Sequence, residues 1–155
     1  MTFIFKIRRL LTDSPYLPVA ILISAVFLVV NGLSSWLAGI YLFAGLVLGW
    51  FLISVYLDLV KSPRLAIIFH LAMFQISFLL FSFWLVISNE SSLAAGIVVG
   101  VNLFFIKEFL FDYRKRRPVL KKRLFNNISI SDHLVLAYLV GFVFLVALLA
   151  VLVIL

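Results

Sequence analysis

There is no cysteine in this chain of 155 residues, and it has only two histidines and six acidic residues. Without thiols there is no disulfide, no thiolate nucleophile and no thiolate metal ligand. The few His, Asp and Glu are too scattered to read as a metal centre, and no cofactor is expected. Charge of either sign is scarce: Asp, Glu, Lys and Arg make up 12% of the residues, about half the share of an ordinary soluble chain. That shortage excludes a soluble enzyme, a disordered tail and a small secreted module. Catalytic signatures are missing too, with no Gly-x-Ser-x-Gly, no His-Glu-x-x-His and no phosphate-binding Gly-Lys-Ser/Thr.

What is present is apolar. Hydrophobic residues make up 66% of the chain, seventeen of them Phe, and the mean hydropathy is +1.28. A domain of this size cannot bury so much, so the solvent it suits is a bilayer. Residues 14 to 57 carry no formal charge. As helix they would extend roughly 66 Å at ~1.5 Å per residue, about twice a hydrocarbon core of ~30 Å. The interruption is Asn31-Gly32-Leu33-Ser34-Ser35, a turn signal with the interfacial aromatic Trp36 beside it. This places spans at about 16–33 and 36–57, then Leu65 to Ser88, Leu93 to Phe111 and His133 to Leu155. Ser129-Ile130-Ser131-Asp132 suits the N-cap of the last. The expected fold is all-α, a polytopic transmembrane helix bundle of about five spans with short interfacial amphipathic helices; four spans are the alternative if 16–57 forms a re-entrant pair. The expected division is 1–13 interfacial, 14–112 a four-span bundle, 113–130 a basic cytoplasmic loop with an interfacial helix, and 131–155 the fifth span.

All thirteen basic residues fall on one side of a five-span chain: Lys6, Arg8, Arg9; Lys61, Arg64; Lys107; and Arg114, Lys115, Arg116, Arg117, Lys121, Lys122, Arg123. Cations flanking spans stay in the cytoplasm, so the N-terminus is expected inside and the C-terminus extracytoplasmic. Residues 1 to 30 also resemble a signal sequence, but no small-x-small site follows cleanly, and they are expected to remain as a span. The last seven cations occupy ten consecutive residues, more than orientation needs, and are expected to contact anionic lipid headgroups. Nucleic acid, which the same string would otherwise suggest, is not expected between two spans. Phe3, Ile7, Leu10 and Leu11, and again Leu120, Leu124 and Ile128, recur at helical spacing. Both segments are expected to lie flat at the interface.

Polar groups inside spans are where chemistry is sought. Counting out from a turn near residue 90, an antiparallel hairpin would level His70 with Lys107 and Glu108, either as a proton-relay or ion-binding pair or as packing residues with Lys107 snorkelling to the headgroups. Gln75, Ser77 and Asn102 form a deeper group that suits helix adhesion. Small residues four apart mark helix-packing faces: Gly45 and Gly49; Ser92, Gly96 and Gly100; Ala137 and Gly141.

The stretch Lys107-Glu108-Phe109-Leu110-Phe111-Asp112-Tyr113, the basic run after it, and Asn126-Asn127-Ile128-Ser129-Ile130-Ser131 resemble uncharacterised polytopic membrane proteins of bacteria with reduced genomes. The resemblance implies a multi-pass protein of a bacterial plasma membrane and brings no activity with it. Such proteins tend to continue with further spans, so a continuation past Leu155 stays open. Two function classes compete. One is a non-catalytic structural or assembly subunit with anionic-lipid contacts, as a homo-oligomer or within a larger membrane complex. The other is a small-solute or proton-coupled carrier using His70, Gln75, Asn102 and Glu108; a lipid-directed enzyme ranks third.

Overall fold

The computed structural model describes residues 16–59, 71–115, 117–125 and 130–155. They form α1 (Tyr16–Asn31), a 3-10 turn (Leu33–Ser35), α2 (Trp36–Leu59), α3 (Ala72–Ser88), α4 (Ser92–Lys115), α5 (Arg117–Phe125) and α6 (Asp132–Ile154), and no strand occurs among them. α2, α4 and α6 are long and apolar enough to cross a membrane, while α1 and α3, at 16 and 17 residues, are apolar but shorter. The expected amphipathic segment at 1–13, together with Leu65 to His70 of the third span, lies outside the described residues.

Local chemistry sets the breaks. Gly32 has φ +77°, a left-handed conformation open to glycine, and the chain turns there between α1 and α2. Asn31 donates to Phe27 O at 3.1 Å and to Ile154 O at 2.7 Å, so it also satisfies a carbonyl in the last turn of α6. Ser91 caps α4 by accepting from Ala94 N at 3.3 Å, and Ser131 caps α6 by accepting from Leu134 N at 3.4 Å.

Side-chain pairs fix how the helices run. Tyr16 stacks on Trp50 while Leu28 packs against Gly39, so α1 and α2 are antiparallel. Ser82 bonds Asn102 and Phe78 packs on Phe105, so α3 and α4 are antiparallel. Leu42 meets Gly96, Leu46 meets Gly100 and Trp50 meets Phe104; this constant register makes α2 and α4 parallel neighbours, and their contact is the most extensive in the bundle. α6 starts beside Phe109, through Tyr138 and Phe142, and ends beside Asn31. The five long helices therefore alternate in direction. Tyr16, Trp50, Lys107, Arg114 and Lys115 gather at one end, called the basic end below; Asn31, Trp36, Ser88 and Ile154 mark the other.

The distribution of polarity is inside out. Val29, Met73 and Ile87 are at least 74% exposed, and every long helix shows large apolar side chains outward, among them Leu22, Leu52, Leu80, Leu110 and Phe144. Gln75, Ser82, Asn102 and Asp112 are buried instead. Water would drive such a surface to aggregate, whereas lipid solvates it, so this is a membrane protein.

The segment 113–130 is not a loop where it is described. α4 runs on to Lys115, and α5 follows after Arg116. In α5, Leu120 and Leu124 are buried in the protein core, and Phe125 sits edge-on to Tyr138 at 6.0 Å.

Candidate functional site

Two groups of residues distinguish the interior: a glycine contact between α2 and α4, and a polar seam where α3, α4 and α6 meet. The glycine contact is reciprocal. A Cβ on Gly45 would fall on the Leu93 carbonyl oxygen and lie 3.0 Å from Gly96 Cα; one on Gly49 would fall on the Ile97 carbonyl. Likewise, Gly96 faces the Leu42 carbonyl and Gly100 the Leu46 carbonyl. No side chain fits between these backbones, so four glycines at spacing four let the two helices touch. Ser92 is half-buried at the start of α4. Ala137 and Gly141 behave differently from expectation: both are exposed, and nothing lies within 4 Å of a Cβ built on Gly141. Among the described residues that pair forms no helix contact, because α6 turns Val135, Leu139, Phe142 and Val146 inward.

In the seam, Tyr138 OH donates to Gln75 Oε1 at 2.9 Å. Asn102 Nδ2 donates to Ser82 Oγ at 2.9 Å and to Val98 O at 2.8 Å, and Ser82 donates to Phe78 O at 2.7 Å. Gln75, Ser82 and Asn102 have no exposed surface. The expected partner Ser77 is exposed instead. Seven residues separate Gln75 from Ser82, nearly two full turns, which keeps both on one helix face; Ser77 sits more than half a turn round from Gln75. Ser82 and Tyr138 are thus the members sequence reasoning missed, and the seven-residue spacing was the available signal for Ser82.

The hairpin register also moves the ionisable residues. With Ser82 opposite Asn102 and Phe78 opposite Phe105, the α3 residues level with Glu108 are Gln75 and Ile76, five or six positions past His70. Those two pairings centre the hairpin near residue 92 rather than 90. His70 itself lies outside the described residues. Glu108 is half-buried. Lys107 is also half-buried, its Nζ 4.8 Å from the Trp50 ring centroid and 6.0 Å from that of Phe104. Asp112 is only 4% exposed and shares a helix face with the buried Phe105 and Phe109.

Of the expected lipid contacts, Arg114, Lys115 and Arg117 are exposed. Arg117 folds back on Tyr113, 4.7 Å over its ring and 3.2 Å from its carbonyl. Lys121 pairs with Asp132 at 2.5 Å. Arg116 and the side chains of Lys122 and Arg123 lie outside the described residues. Among the described residues, no group of three or more His, Asp or Glu gathers as metal ligands would.

No protein-family model matches the chain, and no curated protein or solved structure is similar enough to it to indicate a relationship.

Proposed function

We propose that this protein is a non-catalytic structural or assembly subunit of a bacterial plasma membrane, with five spans, a cytoplasmic N-terminus and an anionic leaflet against its basic end. The observation that carries the proposal is how the intramembrane polar side chains are used. Gln75 bonds Tyr138 and Asn102 bonds Ser82, each across a helix boundary, so they hold helices together rather than line a path. A cavity of about 480 Å³ between α2, α3 and α4 is walled by Phe51, Phe74, Phe78, Phe105 and aliphatic neighbours, with Tyr56 the one polar side chain among the described lining residues, a poor lining for a polar solute. The outward Ala137 and Gly141 leave a small-residue face on α6 to which a partner helix can pack.

The full-length protein reconstituted in liposomes should give no proton or solute flux above protein-free vesicles. Extracted gently from its native membrane, it should migrate in an assembly larger than the purified chain. Proton-coupled uptake that disappears in Gln75→Leu or Asn102→Leu, from a chain that migrates alone, would establish a carrier instead.

The proposed orientation is supported by alternating helix directions and by cations gathered at one end. A reporter fused after Leu155 should read as extracytoplasmic, and one inserted at Arg116 as cytoplasmic. Both reading on the same side would rule out five spans.

A further inference from the structure

We infer that the groove between α1, α2 and α4 at the basic end is a discrete site for one anionic phospholipid, whose phosphodiester headgroup meets Lys107, Arg114 and Lys115 while an acyl chain follows the apolar wall. The inference rests on the proposal that the basic end meets an anionic leaflet, and narrows it to one place. The groove encloses about 610 Å³, within the usual range for ligand cavities. Its cationic lining comes from α4, where Lys107 and Arg114 lie seven residues apart on one face, with Lys115 beside them. Its apolar wall includes Val19 of α1, Trp50 of α2 and Leu103 of α4.

Charge decides the occupant. Among the described residues three cations line the groove and no acidic side chain does, and none of the three has an acidic partner. Two are instead positioned by aromatic faces, Lys107 over Trp50 at 4.8 Å and Lys115 over Phe111 at 4.9 Å, which orient an ammonium group without neutralising it. Lys107 lies eight residues before the end of α4, about 12 Å at ~1.5 Å per residue. The cations therefore form a ladder leading from the helix end into apolar surroundings. A free phosphate would have no use for the wall and a neutral lipid none for the excess charge; an anionic phospholipid uses both.

The full-length protein in nanodiscs of phosphatidylcholine containing phosphatidylglycerol should retain one phosphatidylglycerol per chain in native mass spectrometry. Lys107→Gln combined with Arg114→Gln and Lys115→Gln should weaken retention about a hundredfold, as removal of three cations each contributing ~1 kcal/mol near an anionic headgroup requires. Val19→Trp, which narrows the groove and leaves every charge in place, should weaken it as well and serves if the triple variant does not fold. Lys121→Gln with Lys122→Gln and Arg123→Gln should keep it, and glycerophosphate should not compete. Retention that follows residues 121–123 and ignores the groove variants would overturn the site while leaving the leaflet proposal standing. Equal retention of the two lipids by the wild type would overturn both. Displacement by glycerophosphate, or a groove that retains no lipid because protein fills it, would overturn the site alone.

Discussion

Replacing Gly49 by leucine should abolish the folded bundle, and Gly96→Leu should do the same. At Gly49 the first added carbon already collides with the Ile97 carbonyl, and at Gly96 with that of Leu42. These are backbone atoms in helix interiors, so neither obstacle can swing away as a side-chain tip would. Even Gly49→Ala must push α2 from α4 along their whole shared length, a strain of about 3 kcal/mol at the upper end of ordinary overpacking. In lipid this separation is especially damaging, because close backbone packing rather than expulsion of water holds the helices together. Gly141→Leu is the internal control: its surroundings are open, and the purified protein should keep its stability within about 0.5 kcal/mol. Denaturation by graded SDS in mixed micelles, followed by circular dichroism, measures all four. Wild-type midpoints for Gly49→Leu would show that α2 and α4 do not touch as described.

Trp50→Ala should be the most damaging truncation of a side chain. Trp50 is buried between three elements, stacked on Tyr16 at 3.9 Å and edge-on to Phe104 at 5.2 Å, with Lys107 over its face. Removing the indole deletes two aromatic contacts, each worth ~0.5–1.5 kcal/mol, and leaves a void where three helices converge. The expected loss is about 3 kcal/mol, the lower part of the range for aromatic-to-alanine changes in soluble cores, since burial from water contributes less within a bilayer. Trp50→Phe, which keeps a ring in place, should recover about half. A loss below about 1 kcal/mol in the same SDS titration would mean that Tyr16 and Phe104 close the gap unaided.

The helices themselves were largely legible, because the bilayer imposes a length and the chain marks its breaks. The charge-free run of residues 14–57 had to fold once, and Asn31-Gly32 supplied the place: α1 ends at Asn31 and α2 starts at Trp36. α4 extends a turn past Phe111 because charged side chains do not interrupt backbone hydrogen bonding. The small residues at 45, 49, 96 and 100 identified packing faces, but spacing alone cannot say which face meets which. The same pattern at Ala137 and Gly141 faces outward, since small-xxx-small spacing also arises by chance in apolar helices. Ser82 rather than Ser77 joins Gln75 because seven residues return a helix to nearly the same face and two do not. The burial of Leu120 and Leu124 comes with α5 docking on the bundle, where Phe125 meets Tyr138, a tertiary event that no local pattern encodes.

The parallel contact between α2 and α4 also orders events during synthesis. Gly49 and Gly96 are 47 residues apart, so at about 5–20 residues per second the ribosome needs roughly 2–9 s to deliver the second glycine face after the first. Through that interval α2 has only α1 and the emerging α3 of its own chain beside it, its bare Gly45–Gly49 strip facing lipid or whatever other helix is nearby. Biogenesis of this protein is therefore sensitive to translation speed between α2 and α4. Slowing it lengthens the exposure of an adhesive surface, whereas hastening it brings the intended neighbour before a stranger can occupy its place.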